Sequence, residues 1–375
     1  MSIPPSCPCP SLFTPFSFGR HQLPNRIVMA PMTRQQSPGG IPSDAMGAYY
    51  RRRAEGGVGL VITEGTYIDH PAANGYKDVP AFFGQAALSA WADIAEMVHA
   101  AGALIVPQLW HVGAIRRPGL EPDPMWPGVG PSAVKVDGEE VVRAMDHADI
   151  KDVIASYARA AANAELHGFD GVEIHGAHEY LIDQFLWSKT NHRQDAYGGS
   201  IENRVRLAVE IINAIRSAVS ADFPILFRFS QWKIQDYDAR IAENSDELAA
   251  LLRPIANAGV DIFHVSTRRF NMPAFEGSPD GLAVWTRKLT GKPVIAVGSV
   301  ALKKAYAIAQ LRGGEDPTAE PADLSAIEQQ VADGRIDLVA LGRPLLADPQ
   351  WPKKVFENRL SEINPFDKDA IHTTL

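Results

Sequence analysis

The segment His175-Gly-Ala-His178-Glu-Tyr180 sets two imidazoles and a phenol close together in the chain. If all three reach one rim, the imidazole N–H groups can donate to a developing oxyanion and the phenol can deliver a proton. A free tyrosine titrates at about 10, so it stays protonated at neutral pH and can act as an acid without special tuning. Two histidines could also begin a metal site, but no third ligand and no cysteine accompanies them, so no metal is expected. Gln108 and Arg228 are a second pair of interest. The amide offers a donor and an acceptor together, and the guanidinium offers donors at fixed positive charge. Gly298-Ser299 and Gly342-Arg343 are a third group, in which close backbone N–H donors and a cation suit a phosphate. Glycine is also common in loops for conformational reasons, and a buried structural ion pair is the plain alternative for Arg228.

These residues are useful only if the fold gathers them. Eight short runs rich in Val, Ile and Leu, without polar alternation, read as buried parallel strands. They are RIVMAPM from Arg26, VGLVITE from Val58, ALIVPQL from Ala103, DGVEIH from Asp170, PILFRF from Pro224, DIFHVS from Asp261, PVIAVG from Pro293 and IDLVALG from Ile336. Helix-period segments lie between them, including Leu88 to Ala101, Val153 to His167, Asn203 to Ser220 and Ser245 to Ala258, and several close at glycine (Gly102, Gly168, Gly259). Strand and helix alternating in this way predict a TIM (β/α)₈ barrel, as a single domain with loop insertions after strands 3, 4 and 6. The first of these insertions runs from His111 to about His147, with a hairpin expected at Asp137-Gly138. A doubly wound sheet is disfavoured because no Gly-x-Gly-x-x-Gly follows the first strand.

In such a barrel the C-terminal strand ends converge on one mouth. There stand Pro31-Met32-Thr33, Glu64-Gly65, Gln108-Leu109-Trp110, His175, Arg228, Gly298-Ser299 and Gly342-Arg343. The glycines after strands 7 and 8 fall where this fold binds phosphate. Gln108 with Arg228 matches the pyrimidine edge of a flavin, whose reduced anion an arginine would stabilise.

Composition removes other classes. The 375 residues are 46% apolar and 21% charged, enough for a large core, and fit one domain spanning 1–375 with 1–11 as a flexible N-terminal tail. A formal charge of −8 gives no general attraction to nucleic acid or anionic lipid. No apolar stretch is long enough for a bilayer, and the opening MSIPPSCPCPSLF lacks a basic segment followed by a continuous apolar one, so a cytoplasmic location is expected. Cys7 and Cys9, one residue apart, are read as two reduced thiols in the tail. The segment TNHRQDAYGGSIENRVR from Thr190 is read as structural, with side chains bonding locally and capping the next helix.

From about Leu12 to Trp351 the chain resembles the old yellow enzyme family of FMN-dependent ene-reductases. The segments that carry the resemblance are LPNRIVMAPMTR, ITEGTY, NGY, PQLWHVG, GFDGVEIHGAHEYLIDQFLW, TNHRQDAYGGSIENR and LVALGRPLLADP, in that order. It implies an FMN held by Pro31, Met32, Thr33, Gly65, Gln108 and Arg228 at the ring and by Gly298, Ser299, Gly342 and Arg343 at the phosphate. Thr33 would bond the O4 region, where some relatives carry cysteine. His175 and His178 would bind the substrate oxygen, Tyr180 would donate the proton, and Tyr76 and Trp110 would wall the pocket. The implied activity is ping-pong reduction of an electron-poor alkene, an α,β-unsaturated carbonyl or nitro compound, with NADPH or NADH as reductant. Reductive denitration of nitrate esters or nitroaromatics could use the same groups. A non-catalytic barrel that binds a phosphorylated ligand or another protein is the reading of another class, and Tyr180 beside both histidines speaks against it. FRFSQWKIQDYDARI from Phe227 and NMPAFEGSPDGLAVW from Asn271 depart from the common family pattern, so these loops are expected to set the substrate. The branch with an iron–sulfur cluster is excluded because its cysteines are missing. No interface is legible, and both a monomer and a homo-oligomer fit.

Overall fold

The computed structural model describes residues 3–116, 118–119, 123–303 and 323–366. Each of the eight apolar runs contributes one strand: β1 (Ile27–Met29), β2 (Leu60–Tyr67), β3 (Leu104–Trp110), β4 (Val172–His175), β5 (Ile225–Ser230), β6 (Ile262–Ser266), β7 (Val294–Val297) and β8 (Leu338–Leu341). Neighbours in sequence are neighbours in space, all parallel, and β8 closes on β1. Helices cover the outside, so both faces of the strands are buried. That is why the runs read as continuously apolar rather than alternating.

The inward-facing positions change character along the barrel. Val28, Leu60, Ile62, Val106, Leu226, Ile262, Ile295 and Leu338 form an apolar interior. A hairpin (Phe16–Phe18 with His21–Leu23) adds Phe18 and Leu23 to it. Two residues further along the same strands, where period-two alternation again faces inward, stand Gln108, Arg228 and His264. Register then sorts these polar residues into levels: Gly65 is opposite Gln108 and Gln108 opposite Glu173, while His175 is opposite Arg228 and Arg228 opposite His264.

The helices follow their local signals. His147–Leu166 starts at a capping box, Asp146 with Asp149, and Ser245–Asn257 is capped by Asn244. Gly102, Gly168 and Gly259 all have positive φ, as helix-ending glycines do. The segment expected as one helix from Asn203 to Ser220 is two, Ile201–Arg204 and Arg206–Ala218, and Ser200 is the residue that caps the first. In the loop after β3, Asp137 and Gly138 both take positive φ between Val134–Val136 and Glu139–Ala144, the backbone a two-residue hairpin turn requires. The Thr190–Arg206 stretch spends its side chains on nearby backbone: Asn191 donates to Phe185 and Tyr197 carbonyls, Asn203 to that of Gly198, and Arg193 to those of Pro131 and Met145.

One expectation needs correcting. Residues 3–11 do not form a loose tail: Cys9 is fully buried, Cys7 nearly so, and Leu12 enters the main core. Burial pushes the Cys9 thiol up to about 12, so it remains a thiol. Composition alone hid this, because Pro-rich sequence can wrap a surface without forming regular structure. Among the described residues no helix is long and apolar enough to cross a membrane.

Candidate active site

A cavity of about 490 Å³ opens at the C-terminal ends of the strands. Its lining includes Thr33, Tyr76, Trp110, His178, Tyr180, Arg228, Ser299 and Arg343, which come from segments far apart in sequence. An adjoining cavity of about 380 Å³ is lined by Pro31, Met32, Thr33, Gly298, Ser299, Gly342 and Arg343. Arg228, Thr33, Ser299 and Arg343 border both, so the two form one continuous space.

The rings at the first end are packed against one another. Tyr76 stacks on Trp110 at 5.4 Å, Trp110 stacks on His175 at 6.2 Å, and Tyr180 meets Trp110 and His175 edge-on at 4.9 Å each. His178 lies edge-on to His175 at 5.2 Å. The His178 imidazole is fixed on two sides: Nε2 shares a hydrogen bond with Ser266 Oγ at 2.8 Å, and the ring stacks on Trp232 at 4.3 Å. Burial and the nearby Arg228 charge hold both histidines well below the ordinary imidazole value, so both are neutral at pH 7. The Ala177 N–H donates to His175 Nδ1 at 3.4 Å, which leaves Nε2 as the protonated, donating nitrogen. Burial and the neighbouring Tyr76 hold the Tyr180 phenol well above its ordinary value, so it keeps its proton. The two phenols are hydrogen-bonded at 3.2 Å.

The backbone that presents these groups is held in an unusual shape. His178 and Glu179 have φ of 63° and 68°, a left-handed pair with no glycine to ease it. What holds it is a fully buried ion pair: Lys233 Nζ donates to Asp183 Oδ1 at 2.7 Å, and Asp183 Oδ2 accepts the Glu179 N–H at 2.6 Å. The His178 N–H also donates to Ser230 Oγ at 3.1 Å. Lys233 and Trp232 both lie in the segment that departs from the family pattern, and neither was read as functional from the sequence.

A second polar network lies around Gln108 and Arg228. Gln108 Nε2 donates to Glu173 Oε1 at 2.7 Å, and His264 Nδ1 bonds Glu173 Oε2 at 2.7 Å. Burial alone would raise the Glu173 carboxyl, but His264, Arg228 and the Gln108 amide hold it below the usual carboxylate range. Arg228 Nε is buried and has no hydrogen-bond partner among the described residues, although the side chain borders both cavities. A buried guanidinium N–H left this way beside a cavity is free to bond a ligand there. Glu173 and His264 were missed by the sequence reading, although a carboxylate and an imidazole inside otherwise apolar strands were a usable signal.

Gly65 does not line either cavity. A side chain there would meet the Trp110 ring at 2.5 Å, so the glycine lets the indole pack against β2. The pairing of β2 with β3 slips between Ile62 and Gly65, and Thr63 and Thr66 each hydrogen-bond the Gln108 backbone across the slip. Glu64, in the same slip, accepts the Arg34 N–H at 3.1 Å and so anchors the stretch after Thr33. Burial raises its carboxyl from 4.5 to about 7. A carboxyl that holds its proton to higher pH in the fold adds stability in full below its unfolded value, and this is lost as pH rises through the folded value. Glu64→Gln, which cannot ionise, will therefore gain on the wild type between about pH 5 and pH 8, by roughly 2–3 kcal/mol. Thermal melts across that range read it, and parallel curves for the two proteins would show that Glu64 ionises normally.

The space fits a flavin mononucleotide. At one end Gly298 and Ser299, with φ of 144° and 48°, line the cavity that Arg343 also borders, and a turn of this kind beside a cation suits a phosphate. In the middle, the unpartnered Arg228 Nε matches the electron-rich edge of the ring.

Comparison with known proteins agrees. Residues 11–317 match the family described as NADH:flavin oxidoreductase / NADH oxidase. The chain is 36% identical to an NADH oxidase of Thermoanaerobacter brockii over 94% of its own length, and spans 52% of that longer protein. It is 34% identical to 12-oxophytodienoate reductase 1 of Oryza sativa subsp. japonica, covering 96% of this chain and 90% of the relative. The solved structure of morphinone reductase in complex with tetrahydroNAD superposes with a TM-score of 0.77 at 30% identity, over 96% of this chain and 93% of that one. The chain belongs to the NADH:flavin oxidoreductase / NADH oxidase family, that of the old yellow enzymes, and is an oxidoreductase with FMN as cofactor and a nicotinamide dinucleotide as reductant.

Proposed function

We propose that this enzyme reduces the activated C=C bond of α,β-unsaturated carbonyl or nitro compounds, by a ping-pong cycle in which reductant and alkene use one site in turn. Bound FMN supplies the hydride chemistry, accepting from the nicotinamide and giving to the alkene. Pro31, Met32, Thr33, Gln108 and Arg228 would hold the ring, and Gly298, Ser299, Gly342 and Arg343 the phosphate. The Gly65 contribution is indirect, through the Trp110 packing it permits.

The observation that carries the reading is the cluster of His175, His178 and Tyr180: two neutral imidazoles beside a cation, with a protonated phenol packed edge-on to His175 and with His178 and Tyr180 on the cavity lining. As hydride reaches the β-carbon, negative charge grows on the substrate oxygen. His175 and His178 would donate to it and strengthen their hold as it forms. Tyr180 delivers a proton to the α-carbon, and Tyr76, hydrogen-bonded to it and less buried, returns one from the cavity mouth. Trp110 and Tyr76 form an apolar wall that orients the alkene. The whole chain works as one domain, since every group named stands on the same barrel.

The test is anaerobic stopped-flow absorbance. NADPH or NADH should bleach the flavin, and 2-cyclohexenone should restore the oxidised spectrum. In Tyr180→Phe the first phase should be unchanged and the second slowed by about 10²–10⁴-fold, the usual worth of a positioned acid. A variant that lost flavin reduction but kept alkene reduction would reverse the assignment of Tyr180. His175→Ala should weaken binding of phenols and enones, and unchanged affinity for both would remove the oxyanion role.

A further inference from the structure

Beside the catalytic space lies a third cavity, of about 450 Å³, and its shared wall with the first includes Trp232, Tyr237 and Arg268. Three arginines border it: Arg240, Arg268 and Arg269. We infer that it is an oxyanion subsite, holding the charged tail of a ligand whose reactive end lies over the flavin. This inference rests on the proposed function for the location of the reactive end.

Two of these arginines, Arg240 and Arg269, are held by backbone carbonyls and not by carboxylates. Arg268 sits at the junction of the two cavities with its guanidinium 3.9 Å over the Tyr237 ring and 5.7 Å from Trp232, the same indole that stacks on His178. Arg269 donates to the Lys303 carbonyl at 3.2 Å, and Arg240 to that of Ala274 at 3.0 Å. A backbone carbonyl steadies a guanidinium while leaving its charge in place. Among the described residues neither Arg240 nor Arg269 pairs with a carboxylate, and Asp238 is the one acidic residue on the lining. The cavity therefore carries a local positive excess in a chain of formal charge −8. Such a concentration of planar, forked donors suits a phosphate or carboxylate, which accepts from two guanidinium N–H groups at once.

Two ligands of the cycle could carry that oxyanion. One is the reductant, through a 2′-phosphate, and the other is the alkene, through a carboxylate on a side chain. Arg240 lies in one of the segments that depart from the family pattern, and Arg268 and Arg269 stand just before the other, so this subsite would be a specificity device of this chain.

Equilibrium titration of the FMN-loaded protein, read by perturbation of the flavin spectrum at low salt, separates the two sources. One pair of ligands is NADP⁺ and NAD⁺; the other is a cyclohexenone bearing a pentanoic acid chain and its methyl ester. In at least one pair the ligand carrying the extra oxyanion should bind about tenfold more tightly, the scale of one charge-assisted contact. Arg240→Gln combined with Arg269→Gln, both exposed positions, should bring that ratio toward one. Raising the salt to about 0.5 M in the wild-type protein should do the same. A selective first pair assigns the tail to the nicotinamide dinucleotide, and a selective second pair to the alkene. Ratios near one in both pairs, or a preference unmoved by the double variant, would overturn the subsite. Those outcomes leave the proposed function standing if nicotinamide still bleaches the flavin and enone restores it, whereas absence of both responses removes the function itself.

Discussion

Lys233→Met should lower stability by about 3–5 kcal/mol, the cost of leaving one member of a buried ion pair without the other. Lys233 and Asp183 are both fully buried, so no water replaces the lost ammonium. Burial already pushes the Asp183 carboxyl up against the pull of Lys233, and without the lysine it takes up a proton. That change releases the Glu179 N–H from a full carboxylate charge and relaxes the left-handed pair His178-Glu179. Denaturant unfolding of the holoprotein reads the stability, and enone affinity reads the displaced imidazole. The double variant Lys233→Met with Asp183→Leu separates the two effects. An apolar pair of similar volume should recover most of the stability. Enone binding should stay weak, because neither new side chain can hold the Glu179 N–H. Recovery of both together would mean the ion pair only fills space.

Arg228→Met should raise the FMN dissociation constant by about 100-fold, the worth of charge-assisted contacts to one buried guanidinium. The reason is geometric as well as electrostatic. Arg228 borders both cavities, and its Nε lacks a protein partner. Burial is the main reason the two site histidines are neutral and the Arg228 charge adds to it, while with His264 it also holds Glu173 ionised. Removing it should therefore raise His175 and His178 part of the way toward the ordinary imidazole value, so that on acidification enone affinity changes at a higher pH in the variant than in the wild type. Fluorescence titration of the apoprotein with FMN gives the first quantity, and a pH series of enone binding in the FMN-saturated variant gives the second. Tight FMN binding in Arg228→Met would show that the guanidinium serves the Glu173 network alone.

The sequence by itself determined the barrel and the position of its mouth. Eight runs of buried-strand character separated by helix-period segments leave few closed solutions, and strand-end residues must then converge. For the same reason Thr33, Trp110, Arg228, Ser299 and Arg343 could be named before their contacts were visible; His178 and Tyr180 followed from the motif that begins at His175, Tyr76 from the family resemblance, and all of them border one cavity. Local chemistry also foretold the Asp137-Gly138 turn, because two consecutive residues at positive φ need those side chains.

Only the tertiary structure decided the partners. Lys233 finds Asp183 across 50 positions, His264 finds Glu173 across 91, and His178 finds Ser266 across 88. Such pairings depend on which segments the fold brings together, and for Glu173 and His264 on register, since a one-residue slip of either strand would turn its side chain to the other face. Gly65 likewise looked like a flavin contact, but only the slipped pairing of β2 with β3 shows that its missing side chain makes room for Trp110. The burial of Cys7 and Cys9 and the arginines gathered beside Trp232 are of the same kind. A side chain's type states what it can bond, and the meeting of distant segments settles what it does bond.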